Sequence, residues 1–138
     1  MIVGWNEWVQ LPDLGIFALR AKIDTGAKTS VLHAEEIVMR NGIVSFKTSP
    51  DPAHPAEKIE CSVPVFDERR ITNSGGRSDM RYVIQTELVL GRLKKPVEMT
   101  LKDRSRMRFR MLLGRQAFEP GMMVDPNVRY LQPTLSNS

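Results

Sequence analysis

One acidic residue stands where the sequence could do chemistry. Asp24 follows Ala21-Lys22-Ile23, and Thr25 and Gly26 come directly after it. A carboxylate at the end of a strand can give or take a proton, and a glycine beside it lets the backbone turn tightly and approach a partner closely. Much later, Met111-Leu112-Leu113-Gly114-Arg115 again runs from an apolar strand into a glycine. The two motifs therefore predict a pair of matching strand ends, one of which carries the carboxylate.

Short strands must position these motifs. Asn41-Gly42, which readily forms a tight hairpin turn, separates two alternating runs. Further strands are predicted at 81–90 and 97–101, while three prolines make 49–55 a loop. No apolar stripe with helical spacing persists, so the fold class is all-β with little helix, a closed barrel or a sandwich.

The length leaves room for one domain. The chain has 138 residues, of which 41% are hydrophobic and 26% are charged, an ordinary globular composition rather than a disordered or collagenous one. A second lobe of similar size is excluded. We expect a single domain over residues 1–132 and a flexible tail over residues 133–138.

Cysteine count and hydropathy indicate a cytoplasmic protein. Cys61 is the single cysteine, so the chain has no internal disulfide. The apolar runs are too short for a membrane span, and Glu7 interrupts the region where a signal peptide needs an apolar core. With 20 basic and 16 acidic residues, the charge favours an acidic partner but is too mild to indicate nucleic acid.

The ordered pair of motifs resembles the signature of aspartic peptidases. In that signature an Asp-Thr/Ser-Gly turn packs beside an apolar strand that ends in glycine, and Asp24-Thr25-Gly26-Ala27 followed by Leu112-Leu113-Gly114-Arg115 is most similar to the retroviral-type, single-lobed branch. The resemblance implies a closed, retropepsin-type β-barrel.

Longer segments narrow the resemblance to a small family whose members are described as ATP-dependent zinc proteases. The matching segments are residues 4–9, 11–16, 21–34, 103–107 and 111–115, so that the likeness runs from about Gly4 to Phe118. Members of that family occur alone or alongside ATP-grasp ligases of the RimK type, which add glutamates to a ribosomal protein. The family implies a retropepsin-like peptidase that trims glutamylated protein, with an ATP-grasp ligase as a partner.

Peptide hydrolysis of this kind needs two carboxylates. Held about 3 Å apart they share one proton, so that one activates water and the other polarises the scissile carbonyl. One chain offers only Asp24, so the resemblance implies a homodimer in which two copies of Asp24 meet. Thr25 would hydrogen bond across the pair, Gly26 would give the backbone room, and residues 112–114 would pack behind the loop. Lys22 departs from the apolar run that retropepsins place there, and an inward ammonium would hold the carboxylate ionised.

A peptidase also needs a mobile cover over its substrate. The polar segment Asn73-Ser74-Gly75-Gly76-Arg77-Ser78 could form such a flap, or it could be an ordinary surface hairpin. Six residues are candidates for substrate binding: Ala27, Gly75, Gly76, Arg108, Arg110 and Arg115.

A row of cations precedes the second motif. Lys102, Arg104, Arg106, Arg108 and Arg110 alternate with Met107, Phe109 and Met111 on the other face, the pattern of a half-buried strand. Asp103-Arg104-Ser105 could instead form a turn, and then only part of the row would lie in one plane. Such a row is commonly a solvated face, but beside a cleft it would favour an acidic substrate. It then predicts tighter binding to polyglutamate than to neutral peptides.

The sequence supports no cofactor. The candidate zinc ligands are His33, His54 and Cys61, whose spacing matches no zinc pattern, and no His-Glu-x-x-His helix is present. His33 is interpreted as a structural histidine and Cys61 as a small core residue. A phosphate-binding Gly-x-x-x-x-Gly-Lys-Ser/Thr loop is also missing.

A non-catalytic interpretation stays open. Asp24 could merely cap a turn. The chain would then be a β-barrel binding module, either a partner of an ATP-grasp ligase or a nucleic-acid binder that uses the basic row.

Overall fold

The computed structural model describes residues 1–73 and 75–134. Within these ranges the chain forms twelve strands, two short 3-10 turns (Pro12–Leu14 and Arg115–Ala117) and no α-helix. The strands are β1 Ile2–Gly4, β2 Asn6–Leu11, β3 Ile16–Ile23, β4 Ser30–His33, β5 Glu35–Arg40, β6 Ile43–Thr48, β7 Ile59–Pro64, β8 Asp67–Thr72, β9 Ser78–Leu90, β10 Leu93–Lys102, β11 Met111–Leu113 and β12 Met123–Asp125.

Six of the strands close into a barrel. Their order is β10-β4-β11-β3-β2-β9, and β9 pairs again with β10 to complete the ring, while β8 extends the sheet beyond β9. The interior is filled by the inward residues of each strand, such as Leu19, Ile84, Met99 and Leu113, all fully buried. The predicted all-β closed barrel with a single lobe is confirmed.

The barrel places the two motifs side by side. β11 lies between β3, to which it is parallel, and β4, to which it is antiparallel, so that Met111 pairs with both Ala21 and Leu32. Asp24 is the first residue after β3 and Gly114 is the first after β11. The predicted pair of strand ends is therefore formed by adjacent, parallel strands.

A second sheet, β5-β6-β7, lies outside the ring. Its hairpin turns at Asn41 and Gly42, whose φ angles of 53° and 77° are those of the predicted tight turn. Val44, Phe46 and Cys61 are buried and contribute to the hydrophobic core. The hairpin and the interpretation of Cys61 as a core residue are both confirmed.

The predicted strand of alternating cations is wrong. β10 ends at Lys102, and residues 103–110 form a loop. Asp103 accepts hydrogen bonds from the backbone and hydroxyl of Ser105, and the Met107 N–H donates to the Arg104 carbonyl, so the backbone turns locally instead of extending. Met107 is 53% exposed, on no buried face.

Smaller differences concern strand ends. β10 begins at Leu93 and includes Pro96, where the sequence predicts a start at Val97, and β9 begins at Ser78 instead of Arg81. The proline-rich segment 49–55 is a loop, as predicted. The predicted domain end at residue 132 stays a prediction, because residues 135–138 of the expected tail lie outside the described residues. In the described part of the chain no helix has the length and apolarity to cross a bilayer.

A buried carboxyl group ties the two ends of the described chain together. Glu7 is 0% exposed, and its two oxygens accept the backbone N–H groups of Gly4 (2.7 Å), Leu131 (2.9 Å) and Gln132 (3.0 Å). A Cβ atom at Gly4 would collide with the Val128 carbonyl, so a glycine is needed where the segments cross. We call these hydrogen bonds to the Glu7 carboxyl group the clasp. The clasp fixes β1 and β2 beside β3, the strand that Asp24 follows.

Glu7→Gln tests this clasp. The amide offers one acceptor oxygen and presents an NH2 group to a backbone N–H, which leaves a buried donor unsatisfied. We expect a loss of about 1–3 kcal/mol in the free energy of unfolding, measured by urea denaturation. Glu119→Gln, at an exposed residue, is the matched control and should change stability little. Equal stability of the two variants would contradict the role of Glu7.

Candidate active site

The Asp24 loop is held by hydrogen bonds to the strand beside it. The Asp24 N–H donates to the Leu113 carbonyl at 2.9 Å, and the carboxyl Oδ1 accepts the Gly26 N–H at 3.1 Å. The Arg115 side chain donates to the Thr25 carbonyl at 3.1 Å. The carboxyl group is therefore fixed at its root by β11 and by the turn that follows it.

Gly114 lets the second motif pack against the first. A Cβ atom there would lie 2.8 Å and 2.9 Å from the backbone carbon and oxygen of Thr29, closer than a side chain can approach. The Gly114 N–H donates to the Ser30 hydroxyl at 3.0 Å, and the Arg115 N–H donates to the Ala27 carbonyl at 2.8 Å. The glycine is thus required by close backbone approach, not by a positive φ angle.

A cleft of about 1440 Å³ opens beside Asp24. One wall is the Asp24 loop and the opposite part comes from the β8–β9 hairpin, with Ile71, Thr72 and Asn73. The hairpin turn is closed by the Asn73 side chain, which accepts the Gly75 and Arg77 N–H groups. Ser74, within the predicted flap, lies outside the described residues. The hairpin lies where a flap would have to lie; that it moves over a substrate stays a prediction.

The cleft is strongly cationic. Eight basic residues and three acidic ones line it. The basic residues are Lys28, Arg69, Arg70, Arg81, Lys102, Arg104, Arg106 and Arg115, and the acidic residues are Asp24, Glu98 and Asp103. Some of this charge is paired, since Arg69 bridges Asp67 and Glu98, and Asp79 pairs with both Arg81 and Lys102. The remaining cations give the cleft a positive potential that attracts anionic ligands.

Arg104 is the cation that Asp24 influences. Burial and the nearby Arg81 lower the pKa of the Arg104 guanidinium, and the negative charge of Asp24 opposes that shift. Lys22 is exposed, and it forms no ion pair with Asp24 in the described ranges. Arg104, from the 103–110 loop, therefore lines the cleft together with Asp24.

His33 fixes that loop. The imidazole is 0% exposed, and its Nδ1 accepts the Arg104 N–H at 2.7 Å, so the neutral ring carries its proton on Nε2. Burial and the charge of Arg110 lower the pKa of His33, although Glu35 and Asp103 oppose them. The interpretation of His33 as a structural histidine agrees with this contact.

The donor atoms around His33 do not fit zinc. Glu35 and Asp103 lie close by, but Asp103 is 3.8 Å from Nδ1, whose lone pair the Arg104 N–H already occupies, whereas Glu35 is 3.7 Å from Nε2. The Lys58 ammonium lies 3.1 Å from the Glu35 carboxylate, where a cation would be repelled. One imidazole nitrogen and a lysine-paired carboxylate make a poor zinc site.

The other two zinc candidates lie elsewhere. His54 is exposed and pairs with Asp51 at 2.9 Å, which raises the pKa of the imidazole. Cys61 is buried, its thiol donates to the Leu14 carbonyl at 3.8 Å, and burial raises its pKa away from the thiolate that a metal needs.

The structure brings together only part of the predicted substrate-binding set. Ala27 and Arg115 line the cleft with Asp24 and Gly26. Arg108 borders a smaller adjoining cavity. Gly75 and Gly76 are exposed at the hairpin tip and do not line the cleft.

Arg110 is placed inside the protein. It is 4% exposed, and its Nη1 donates to the Arg104 carbonyl at 3.3 Å. It therefore supports the 103–110 loop from behind instead of facing a ligand.

Sequence reasoning missed two parts of the site. The ion pairs Arg69–Glu98 and Lys102–Asp79 join residues 29 and 23 positions apart, and no motif marks them. Glu7 had one signal, an acidic residue between Trp5 and Trp8, but its backbone partners near residue 131 could not be read from the pattern.

Comparison with known proteins supports the family. A family model described as RimB-like, retropepsin-like aspartic endopeptidase RimB, matches residues 2–134. That description contains neither zinc nor ATP, so the resemblance holds for its retropepsin-like part, and the description as an ATP-dependent zinc protease is not supported.

The curated relatives are longer proteins. Proteins described as probable alpha-L-glutamate ligases from Desulfotalea psychrophila, Parasynechococcus marenigrum and Shewanella pealeana are 43%, 42% and 41% identical, each over 91% of this chain. The chain spans 28% of the length of each of these relatives.

A solved structure shares the fold. The crystal structure of a Legionella pneumophila protein of unknown function, assigned to DUF785, superposes with a TM-score of 0.75 and 25% sequence identity. The match covers 94% of this chain and 96% of that one.

His33 gives the protein a pH-dependent stability. Because its pKa is lowered in the native state, the unfolded chain binds a proton below the ordinary value of 6.5 while the native chain still does not. Stability from this residue is therefore complete above that pH and falls as the pH drops through it. Urea denaturation at about pH 7.5 and about pH 5.5 should show a larger acid-induced loss for the wild type than for His33→Asn.

His54→Asn is the control for this measurement. The pKa of His54 is raised, so its removal should leave the acid-induced loss in place. The same pH dependence in the wild type and His33→Asn would show that His33 does not carry it.

Proposed function

The chain belongs to the RimB-like family of retropepsin-like aspartic endopeptidases, and from that membership we propose that it hydrolyses peptide bonds with Asp24 as its acid–base residue. Two chains would each contribute one Asp24. Thr25 and Gly26 would complete the loop around the carboxyl pair.

The main support for the proposal is the position of Asp24 beside β11 and on the edge of the cleft. Asp24 directly follows β3, its backbone N–H donates to the Leu113 carbonyl of β11, and the residue borders a cleft that the β8–β9 hairpin also lines. A positioned carboxyl group beside a cleft is what water activation on a peptide requires. Asp24 Oδ1 also caps its turn by accepting the Gly26 N–H, but turn capping alone would need no such cleft.

The chemistry follows from sharing one proton between two carboxyl groups. The ionised Asp24 takes a proton from water as the water oxygen attacks the scissile carbonyl carbon, while the protonated Asp24 of the second copy donates a hydrogen bond to the carbonyl oxygen. The tetrahedral intermediate then collapses: the carbon–nitrogen bond breaks, the amine leaves with a proton from the carboxyl pair, and the carboxylic product departs.

The surface around Asp24 suits a symmetric partner. Thr25 and Gly26 are exposed, and the Thr25 hydroxyl makes no hydrogen bond with the described part of the chain. An isologous contact between two copies brings identical residues together on its axis. A homodimer would therefore give each Thr25 hydroxyl a partner and each Asp24 its pair.

The charge of the cleft supports an acidic substrate. Lys28, Arg106 and Arg115, which form no ion pair with the described part of the chain, border the same space as Asp24. A segment rich in glutamate would gain from this potential, whereas a neutral segment would not. We include acidic or glutamylated protein segments in the proposal for this reason.

A second function has one observation in its favour. The curated relatives that contain a region like this chain are described as probable ligases and are far longer, since the chain spans 28% of them. A non-catalytic binding module that works with an ATP-grasp ligase is therefore the alternative proposal.

Asp24→Asn separates the two functions. The amide can neither take a proton from water nor share one, so peptide cleavage should fall by at least about a hundredfold, measured by the release of new amino termini from a glutamate-rich peptide. The fold should persist because the loop is held through its backbone. Asp13→Asn, at an exposed acidic residue that does not line the cleft, is the matched control.

The oligomeric state completes the test. Sedimentation should give twice the 15.7 kDa mass of one chain for active protein. Cleavage unchanged in Asp24→Asn would remove Asp24 from the mechanism, and a wild type that cleaves no peptide would favour the binding module.

A further inference from the structure

A second cavity adjoins the cleft on the far side of Arg104. It has a volume of about 370 Å³ and shares Asp24 and Arg104 with the cleft. Lys22 and Arg108 also border it, and Trp5 and Phe109 provide aromatic walls. Three cations thus face a small space in which Asp24 is the single acidic residue.

Hydrogen bonds hold the backbone and the Nε atom of Arg104. Its backbone N–H donates to His33 Nδ1 at 2.7 Å, its carbonyl accepts from Arg110 at 3.3 Å, and its own Nε donates to the Phe109 carbonyl at 3.1 Å. These contacts fix both the loop and the plane of the guanidinium.

The outer edge of that guanidinium is open. Its two Nη atoms make no hydrogen bond or ion pair with the residues that the structure describes, and both cavities border the side chain. A guanidinium presents a flat fork of donors that matches a carboxylate in two parallel hydrogen bonds. Because the backbone and Nε of Arg104 are already held, the side chain loses little conformational freedom when such a ligand binds.

The charge of Arg104 is incompletely balanced. Burial and Arg81 both disfavour its protonated form, and Asp24 opposes them without forming a direct ion pair. Since arginine stays charged in proteins, an incoming carboxylate would relieve an existing electrostatic cost.

The remaining walls suit the stem of an acidic side chain. Phe109 packs edge to face on Trp5 with ring centroids 5.7 Å apart. The Arg108 guanidinium lies 5.5 Å from the Phe109 ring centroid, which places a second cation at the rim. Phe109 is 7% exposed, so the half-buried Trp5 is the aromatic wall that can contact methylene groups while the cations hold the charged end.

We propose that Arg104, with Lys22 and Arg108 at the rim, binds a carboxylate of the substrate next to Asp24, so that this cavity is a specificity subsite. The inference rests on the proposed function in one respect, that the ligand is a peptide. The carboxylate can belong to a glutamate side chain or to a free C-terminus, and both have the same recognition chemistry.

Three peptides distinguish the sources, measured by calorimetric titration into the full chain carrying Asp24→Asn, which cannot cleave them. The first is acetylated and amidated with one glutamate among alanines, the second has glutamine in place of that glutamate, and the third has no glutamate but a free C-terminal carboxylate. At least one carboxylate peptide should bind about tenfold or more tighter than the neutral peptide. Equal binding of all three overturns the subsite.

Substitutions test whether Lys22, Arg104 and Arg108 produce the preference for a carboxylate. Lys22→Gln combined with Arg108→Gln changes two exposed residues, so the fold should persist, and the preference for carboxylate should fall by about tenfold. Arg104→Lys keeps the charge but loses the fork, and the preference should fall here also. Arg92→Gln, at an exposed arginine that lines neither cavity, is the control and should keep the preference. An equal loss in Arg92→Gln, or an unchanged preference in the double variant, overturns the assignment.

The experiments can contradict the subsite without contradicting the peptidase activity, and the reverse also holds. If the wild type cleaves the neutral peptide as fast as the acidic one, the peptidase activity is supported and the carboxylate subsite is contradicted. Selective binding of carboxylate peptides without any cleavage would support the subsite and remove the peptidase.

Discussion

The site depends on a three-residue strand between two strands from the other half of the chain. β11 pairs with β3 on one side and with β4 on the other. Its last carbonyl, on Leu113, holds the Asp24 backbone, and the glycine that follows it leaves room for Thr29. Without this insertion the ring would not close, and Asp24 would end a free strand instead of bordering a cleft.

The position of β11 between β3 and β4 also bears on the positive charge near Asp24. The chain reaches β11 through the 103–110 loop, which begins where Lys102 pairs with His33 and ends where Met111 pairs with Leu32. Residues of this loop line two cavities together with Asp24. His33, the last residue of β4, fixes this loop through the Arg104 N–H, and Arg110 supports it from inside. Topology therefore carries an arginine to Asp24, where composition shows only a mild excess of positive charge.

Local patterns predicted local structure well. The Asn41-Gly42 hairpin and the strand ending at Leu90 depend on neighbouring residues, and the Asp24 and Gly114 motifs marked their own strand ends. The alternating cations do not form a strand because Asp103 accepts the Ser105 N–H and the backbone turns, which is the alternative that the Asp103-Arg104-Ser105 segment indicated. The contacts of Glu7 and His33 join residues far apart in sequence, at separations of up to 125 residues, and only the folded chain could show them.

Two copies of Asp24 would form one acid–base pair, and this is measured most directly as the distance between their carboxyl groups in a crystal structure of the assembled protein. We predict a two-fold axis beside the Asp24 loop, with carboxyl oxygens of the two chains about 3 Å apart, close enough to share a proton. A monomer, or an assembly in which the two Asp24 carboxyl groups face separate clefts, would contradict it.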